Sequence, residues 1–365
     1  MGKVQKMPDL VLMAAALMLL TLGVIMVYSA SAVLSFHDFG DSFYYMKRQL
    51  LFAVLGVGAM LVTTRLDYSM WAKWAKPILL ICFGLLVLVL IPGIGIIRGG
   101  ARSWLGVGSF GIQPSEFMKM GVIIFLAKLL SEGRLTITRF WSGLVPPLML
   151  MGLAFGLIML QPDLGTGVVL VGASLLVIYV TGARLFHLGL LALCGIAGFV
   201  GLILAAPYRL QRIVGFLDPW SDPLGAGYQI IQSLYAIGPG GLVGLGFNHS
   251  LQKHSYLPEP QTDFIFSIVG EELGFIGGIF VLALFAILIW RGIHAAIAAP
   301  DVFGSLLATG ITGMIAVQVT INIGVVIGMF PVTGITLPLI SYGGSSLTLM
   351  LTAIGILLNI SRQAR

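Results

Sequence analysis

The chain has very few charged residues. Only 9% of its 365 residues are Asp, Glu, Lys or Arg, 58% are hydrophobic, and the mean hydropathy is +1.04. Soluble domains carry about 25% charged residues, so this composition cannot build a water-exposed surface and excludes a soluble globular protein. Many apolar runs approach the ~20 residues that cross a bilayer. The sequence therefore predicts a polytopic membrane protein in contact with membrane lipids.

Cysteines and metal-ligand clusters are also scarce. Cys82 and Cys194 both lie in apolar runs, which indicates buried side chains rather than a disulfide or a metal pair. No Cys/His cluster has metal-ligand spacing, so no protein-built metal site is expected. The basic residues behind the net charge of +6 are scattered through short loops. This pattern favours anionic lipid headgroups and predicts no nucleic-acid partner.

The apolar runs predict an all-α protein of a single transmembrane domain, residues 1–365. The first run, from Leu10 to about Val33, is longer than the 7–15 residues of a signal-peptide core, which indicates a retained helix. Ten spans are predicted, at residues 10–33, 48–63, 77–92, 114–130, 144–160, 163–181, 186–206, 263–290, 303–328 and 337–360.

Ten spans place both termini on one side of the membrane. The segments on that side carry more Lys and Arg than the opposite ones, which predicts cytoplasmic termini in the cytoplasmic (inner) membrane. The longest connection, residues 207–262 between spans 7 and 8, is then extracytoplasmic. Its stretch YQIIQSLYAI, residues 228–237, predicts an amphipathic helix on or in the membrane. We therefore expect the chemistry at the outer face.

An acidic stretch, YLPEPQTD, precedes the eighth span. Pro258 and Pro260 predict extended backbone, and Thr262 is a good N-cap for a helix that begins at about Asp263. The helix dipole would help to keep Asp263 ionised. The residue is either a reactive carboxylate or a simple first-turn acid, and Glu259 either assists it or is only solvated.

Two further acids, Glu271 and Glu272, lie about 12 Å further along that helix. Buried acids in a span must face the bundle interior or a water-filled cavity. Neighbours on a helix differ by about 100°, so Glu271 could share a cavity with Asp263 while Glu272 faces away. The favoured alternative is that both acids organise the cavity structurally, through pairing across helices.

A second block, GARSWLGVGSFGIQPSEFMKMG, ends an outer loop and opens the fourth span. Trp104 is typical of the membrane interface, and Ser115 opens the helix. Glu116 and Lys119 are three residues apart and can form an ion pair. The alternative to a structural role is a cation clamp for a diphosphate. Its candidate members are Arg102, Lys119, Arg209 and Arg212.

Two Gln-Pro segments resemble each other, IQPSEF at 112–117 and LQPDLGTG at 160–167. Proline in a first helical turn is ordinary, but matched interrupted segments also mark transporter binding sites.

The last apolar run is interrupted by SYGGSS at 341–346. Ser341, Gly343 and Gly344 would allow close helix approach and supply a hydroxyl to neighbours.

These blocks together resemble the SEDS family of shape, elongation, division and sporulation proteins, and the resemblance runs from Pro8 to Arg365. It is carried by GARSWLGVGSFGIQPSEFMK, QPDLGTG, YLPEPQTDFIF and SYGGSS. The details look closest to the family's sporulation members, with the division members as the alternative. The resemblance implies a peptidoglycan glycosyltransferase that polymerises lipid II at the outer membrane face, in spore cortex or septal wall synthesis. It also implies a class B penicillin-binding protein, a transpeptidase, as partner.

The family's catalytic Asp maps onto Asp263 and its functionally important Trp onto Trp104. We expect Asp263 to act as general base on the acceptor's hydroxyl in an inverting displacement. The diphosphate would be held by the four candidate cations, with Ser115 and Glu259 near the substrate. No cofactor is expected except a divalent cation, Mg²⁺ or Mn²⁺, at the diphosphate. The rival hypotheses are a lipid II flippase and a non-catalytic scaffold for the transpeptidase.

Overall fold

The structure of the protein is a computed structural model that describes residues 7–98, 100–107, 110–133, 135–204, 210, 214–254 and 256–363. Its main helices are α1 (Leu10–Phe39), α2 (Tyr44–Arg65), α3 (Ser69–Leu90), α4 (Pro114–Ser131), α5 (Val145–Met159), α6 (Leu164–Val180), α7 (Leu185–Leu204), α8 (Tyr228–Gly240), α9 (Ile265–Ile297), α10 (Val302–Val326) and α11 (Gly344–Gln363). A π-helical turn, Phe140–Leu144, leads into α5.

Seven helices in the described part of the chain are long and apolar enough to cross a membrane. They are α1, α2, α3, α5 with its π-helical turn, α9, α10 and α11. Helix α6 and the Leu185–Gly198 part of α7 are shorter apolar helices. These helices make the chain a mostly helical, multi-pass membrane protein.

The all-α prediction is wrong between α3 and α4, where three short strands form an antiparallel sheet. They are β1 (Ile96–Arg98), β2 (Ala101–Val107) and β3 (Phe110–Ile112), in the order β1-β2-β3. Glycine permits the reversal between β1 and β2, where Gly100 has a φ of +80°.

The observed helix ends follow from local chemistry. Asp9 caps α1 by accepting hydrogen bonds from the amides of Val11 and Leu12, both at 3.0 Å. The helix runs on to Gly40, whose φ of +68° ends it, beyond the predicted limit of residue 33. The final helix begins at Gly344 rather than at 337, so SYGGSS spans the start of the helix instead of interrupting it.

The helices pack around α9, α10 and α11. Helix α11 packs along α2, α9 packs between α1 and α10, and α10 also contacts α4 and α6. Small residues allow the closest approaches: a Cβ at Gly23 of α1 would lie 2.5 Å from the Leu339 carbonyl oxygen. The segment 331–343 thus enters the bundle between helix ends and forms one wall of a cavity.

Candidate functional site

A cavity of about 660 Å³ opens at one end of the bundle. Its walls come from the end of α1, the beginnings of α2, α4, α6 and α11, strand β2, and the segments 259–263 and 332–336. Within the described ranges, the Asp, Glu, Lys and Arg side chains that line it are Arg48, Glu116, Lys119, Asp163, Glu259 and Asp263.

Asp263 lies in this cavity, half-buried, in a turn that precedes α9. The predicted Thr262 cap is wrong, because α9 begins at Ile265 and Phe264 occupies the cap position without a side-chain bond. Glu259 has a left-handed φ of +49°, which folds the turn back on itself. The Thr262 hydroxyl therefore donates to the Glu259 carbonyl and carboxylate oxygens, each at 3.2 Å.

The backbone around Asp263 is fixed by two distant residues. The buried Asn322 Nδ2 donates to the Asp263 carbonyl oxygen at 2.8 Å and to that of Ile335 at 2.7 Å. The Ser341 hydroxyl donates to the Thr262 carbonyl oxygen at 2.6 Å. The turn is thus held from α10 and from the segment before α11.

Glu116 and Lys119 form the ion pair expected from their spacing, with 2.8 Å between Lys119 Nζ and Glu116 Oε1. Lys119 also donates to Gln318 Oε1 at 3.0 Å, and Gln318 Nε2 donates to the Thr336 carbonyl oxygen at 3.0 Å. Both charged residues are buried in protein while lining the cavity. The lysine is therefore held by two side chains in the wall of the cavity that also contains Asp263.

Asp163 is a cavity residue that the sequence analysis did not select. Its Oδ1 accepts from the Thr166 amide at 3.1 Å and so caps α6. Its Oδ2 accepts from Gln113 Nε2 at 2.9 Å and from the Ser115 hydroxyl at 3.0 Å. The two similar Gln-Pro segments therefore meet at this carboxylate. Their similarity was the feature of the sequence that could have indicated Asp163 as a site residue.

Strand β2 brings Trp104 into the cavity wall, together with Ala101 and Ser103. Arg102 is half-buried, and its aliphatic part packs beside Gly95, where a Cβ would lie 2.8 Å from Arg102 Cγ. Trp104 thus lines the same cavity as Asp263, whereas Arg102 is not among its lining residues.

The remaining clamp candidates differ in position. Arg209 and Arg212 lie outside the described residues. Arg48, from the first turns of α2, lines the cavity instead, with its guanidinium carbon 4.8 Å from the centroid of the Tyr44 ring. Such stacking orients the guanidinium, so Arg48 adds a cation that the sequence analysis missed.

Glu271 and Glu272 are fully buried, and neither of them lines the cavity. Glu271 accepts from the Ser250 hydroxyl at 2.5 Å and the Leu251 amide at 2.7 Å. Glu272 accepts from the Ser29 hydroxyl at 2.6 Å and lies 3.5 Å from Lys253 Nζ. The proposed sharing of a cavity by Glu271 and Asp263 fails because Asp263 precedes the helix, so helical angles do not relate the two.

The glycines at the start of α11 permit close packing. Gly343 lines the cavity, and its amide donates to Gln49 Oε1 at 3.4 Å. A Cβ at Gly344 would collide with the Phe52 ring of α2. The beginning of α11 can therefore approach α2 this closely only because Gly344 lacks a side chain.

Sequence and structure comparisons decide the family. The sequence profile of the FtsW/RodA/SpoVE family, described as cell cycle protein, matches residues 9–365. The chain belongs to the FtsW/RodA/SpoVE family. Within it, the chain is 62% identical to Stage V sporulation protein E of Bacillus subtilis (strain 168), over 98% of both chains. It is 44% identical to the Probable peptidoglycan glycosyltransferase FtsW of Trichlorobacter lovleyi, over 97% of this chain and 93% of that one.

Solved structures of FtsW/RodA/SpoVE relatives share the fold. A chain from work on structural coordination of polymerization and crosslinking by a peptidoglycan synthase complex superposes with a TM-score of 0.80 and 34% identity, covering 97% of this chain and 98% of that one. The crystal structure of the Rod shape determining protein RodA of Thermus thermophilus gives a TM-score of 0.72 and 30% identity, over 98% and 97% of the two chains.

Proposed function

We propose that this protein is a peptidoglycan glycosyltransferase that polymerises lipid II into glycan strands at the outer face of the cytoplasmic membrane. The observation that carries the proposal is the half-buried Asp263 carboxylate in a polar cavity at one end of a multi-pass bundle. Relatives that match nearly the whole chain are named for this activity.

The proposed topology has ten spans, α1–α7 and α9–α11, with α8 in the extracytoplasmic loop. Helix α4 has 18 residues, and its three charged residues Glu116, Lys119 and Lys128 lower its hydropathy without preventing a span that faces other helices. Helix α6 has 17 residues, the lower limit for crossing a bilayer. Both termini are then cytoplasmic and the cavity faces outward.

In the proposed reaction, Asp263 takes the proton from the 4-hydroxyl of the acceptor's terminal GlcNAc. The hydroxyl oxygen attacks C1 of the donor sugar, and the bond from C1 to the polyprenyl diphosphate breaks with inversion. The diphosphate leaves with the bonding electron pair. General base assistance of this kind typically contributes ~10²–10⁴-fold in rate. The fixed turn around Asp263 supports the assignment, because a base must be positioned before reaction.

The leaving diphosphate needs positive charge, and the described residues that line the cavity supply little of it. Lys119 and Arg48 line it, whereas its acids are more numerous: Glu116, Asp163, Glu259 and Asp263. We propose that Arg102, which lies outside this lining, contributes to holding the diphosphate together with Arg209 and Arg212 of the extracytoplasmic loop. In the described part of the chain, no group of three or more His, Cys, Asp or Glu could hold a metal ion.

A divalent cation, Mg²⁺ or Mn²⁺, fits this arrangement as part of the proposal. Magnesium is commonly held by one or two carboxylates together with substrate phosphates, and Glu259 and Asp263 are two cavity carboxylates on one turn. Such an ion would neutralise charge on the departing diphosphate.

The proposed partner is a class B penicillin-binding protein. Support comes from the similar chain in a peptidoglycan synthase complex that couples polymerization with crosslinking. The 62% identity to Stage V sporulation protein E favours spore cortex synthesis over septal wall synthesis.

The rival functions are a lipid II flippase and a non-catalytic scaffold. The ionisable residues of the cavity cluster at one end of the bundle, whereas a flippase needs polar groups along its whole path.

The three functions are distinguished with the protein purified together with its cognate class B penicillin-binding protein. The complex is supplied with labelled lipid II, and moenomycin is added to silence class A polymerases. Polymer on a gel supports the proposal. Lipid II scrambling in liposomes without polymer supports the flippase, and neither activity supports the scaffold.

A further inference from the structure

After α8 the chain turns back against α9 instead of leaving the bundle. Residues 240–246 form this turn, and they lie beside a break in α9 at Gly274, where φ is +66° and ψ is −165°. Four backbone hydrogen bonds join the turn to α9: Leu245 N to Glu271 O (2.9 Å), Gly246 N to Glu272 O (3.1 Å), Phe275 N to Gly241 O (2.9 Å) and Ile276 N to Leu242 O (3.1 Å). The turn therefore satisfies backbone groups on both sides of the break.

The depth of this turn follows from helix geometry. From Ile276, which binds Leu242, α9 continues to Trp290 without a further break, a distance of about 21 Å at 1.5 Å per residue. Trp290 is exposed and Arg291 follows it, a combination typical of the inner membrane boundary. Since the hydrocarbon core is about 30 Å thick, Leu242 lies inside its outer leaflet.

The surface at this depth is apolar. Leu242 and Val243 are 67% and 75% exposed, and the neighbouring Phe275 and Ile276 of α9 are each 61% exposed. Irregular backbone is tolerated in hydrocarbon only where its polar groups are satisfied within the protein. The four bonds to α9, and a fifth from Gly244 N to Gly240 O at 2.7 Å, pair the amides of residues 244–246 and the carbonyl groups of residues 240–242 within the protein.

The chain that leaves the turn is also held. Glu271 accepts hydrogen bonds from Ser250 and Leu251, and Glu272 lies beside Lys253 and accepts from the Ser250 amide at 3.2 Å. These carboxylates are fully buried. The turn and the chain that follows it are thus both bonded to the same part of α9, which keeps the turn at a constant depth.

We propose that residues 240–246 form a re-entrant tip embedded in the outer leaflet, where Leu242 and Val243 contact lipid acyl chains. The tip anchors the extracytoplasmic loop to the bilayer and to α9 at the same point. Glu271 and Glu272 then hold the chain that follows the tip against α9, and they are not part of the cavity that contains Asp263. The proposal rests on the membrane topology and does not depend on glycan synthesis.

Fluorescence quenching by lipids tests the tip directly. Val243→Cys is compared with Leu224→Cys, a position that is 89% exposed and precedes the opposite end of α8. The protein's own cysteines are first removed as Cys82→Ala and Cys194→Ser, and each single thiol is labelled with an environment-sensitive fluorophore in nanodiscs. Lipids that carry a nitroxide on the acyl chain are expected to quench the probe at 243 several-fold more than the probe at 224. Aqueous iodide is expected to show the reverse order.

Two results would overturn the proposal. One is equal labelling of both positions by a membrane-impermeant thiol reagent together with strong iodide quenching at 243, which would place the tip in water. The other is a probe at 243 shielded from both quenchers, which would show that protein covers it. Elution volume and unfolding temperature establish that each variant is folded. If Val243→Cys does not fold, Leu242→Cys gives the same readout.

Discussion

Asn322 fixes Asp263 through the backbone carbonyl group of Asp263 rather than through the Asp263 carboxylate. Its Nδ2 donates to the Asp263 carbonyl oxygen at 2.8 Å and to the Ile335 carbonyl oxygen at 2.7 Å. One buried amide therefore joins α10, the turn before α9 and the segment that leads to α11. The position of the proposed base depends on this contact across the bundle.

Replacement of Asn322 by Leu is expected to lower both stability and polymerisation. The buried carbonyl group of Ile335 loses its donor, at about 1–3 kcal/mol, and the partly buried carbonyl group of Asp263 loses its donor at a smaller cost. The Asp263 turn would also shift, and a small misplacement can cost on the order of 10²-fold in rate. Thermal unfolding and lipid II polymerisation measure the two effects.

Asn359→Leu is the matched control. Asn359 also bridges two segments, because it donates to the Thr64 carbonyl oxygen and accepts from the Tyr68 amide, each at 2.9 Å, away from the cavity. It should lose similar stability and keep its turnover. An equal loss of turnover in both variants would show that Asn322 has no special role in positioning.

The buried pair of Glu116 and Lys119 predicts a non-additive mutant cycle. Glu116→Gln or Lys119→Met alone leaves an uncompensated buried charge, at about 3–5 kcal/mol. The double variant should be more stable than either single variant and still polymerise poorly, because Lys119 lines the cavity. The exposed pair of Asp41 and Lys47 is the control, and its removal should cost less than about 1 kcal/mol. Additive losses at 116 and 119 would contradict the buried pairing.

Replacement of two helix-interior glycines by alanine should change the stability of the protein in opposite directions. A Cβ at Gly23 would lie 2.5 Å from the Leu339 carbonyl oxygen, whereas a Cβ at Gly58 would meet nothing within 4 Å. Gly58→Ala should gain about 0.5–1 kcal/mol in helix stability. Gly23→Ala should lose about 1–3 kcal/mol through overpacking and reduce polymerisation, because it displaces the segment before Ser341. Unfolding temperatures compare the pair, and a neutral Gly23→Ala would refute the close contact.

Tyr68 predicts a loss of stability at high pH. Burial and the hydrogen bond that its hydroxyl donates to Asp301, at 2.8 Å, raise the pKa of Tyr68 above its ordinary value of 10.0. The folded protein therefore retains the proton that the unfolded chain loses. The stabilisation is complete below pH 10 and decreases as the pH rises toward the folded-state pKa. Unfolding temperatures from pH 8 to 11 should fall less steeply for Tyr68→Phe than for the wild type, and parallel curves would contradict this.

The sequence could predict features that depend on local patterns. The membrane class and the pairing of Glu116 with Lys119 follow from composition and helical spacing. The helix at 228–240 follows from its amphipathic pattern. The family resemblance singled out Trp104 and Asp263 as functional residues, and the structure places both in the lining of one cavity.

Features that depend on distant partners were missed. Asp163 joins the site through Gln113 and Ser115, which are about fifty residues away and can be paired only by the fold. The prediction that Thr262 caps the helix was wrong because the backbone of Glu259 is left-handed and the Thr262 hydroxyl binds the Glu259 carbonyl group instead. The residue type of Glu259 does not predict that conformation. The small sheet was missed because its short strands lie in a glycine-rich segment interpreted as a loop.

The most direct test of the proposed function compares Asp263→Asn with the wild type. Each protein is purified with its class B penicillin-binding protein and given labelled lipid II in the presence of moenomycin. The substitution keeps the shape of the side chain and removes its basicity, so the variant should stay folded and bound to its partner while polymer formation falls by at least ~10²-fold. Equal polymer from both proteins would contradict the assignment of Asp263 as the base.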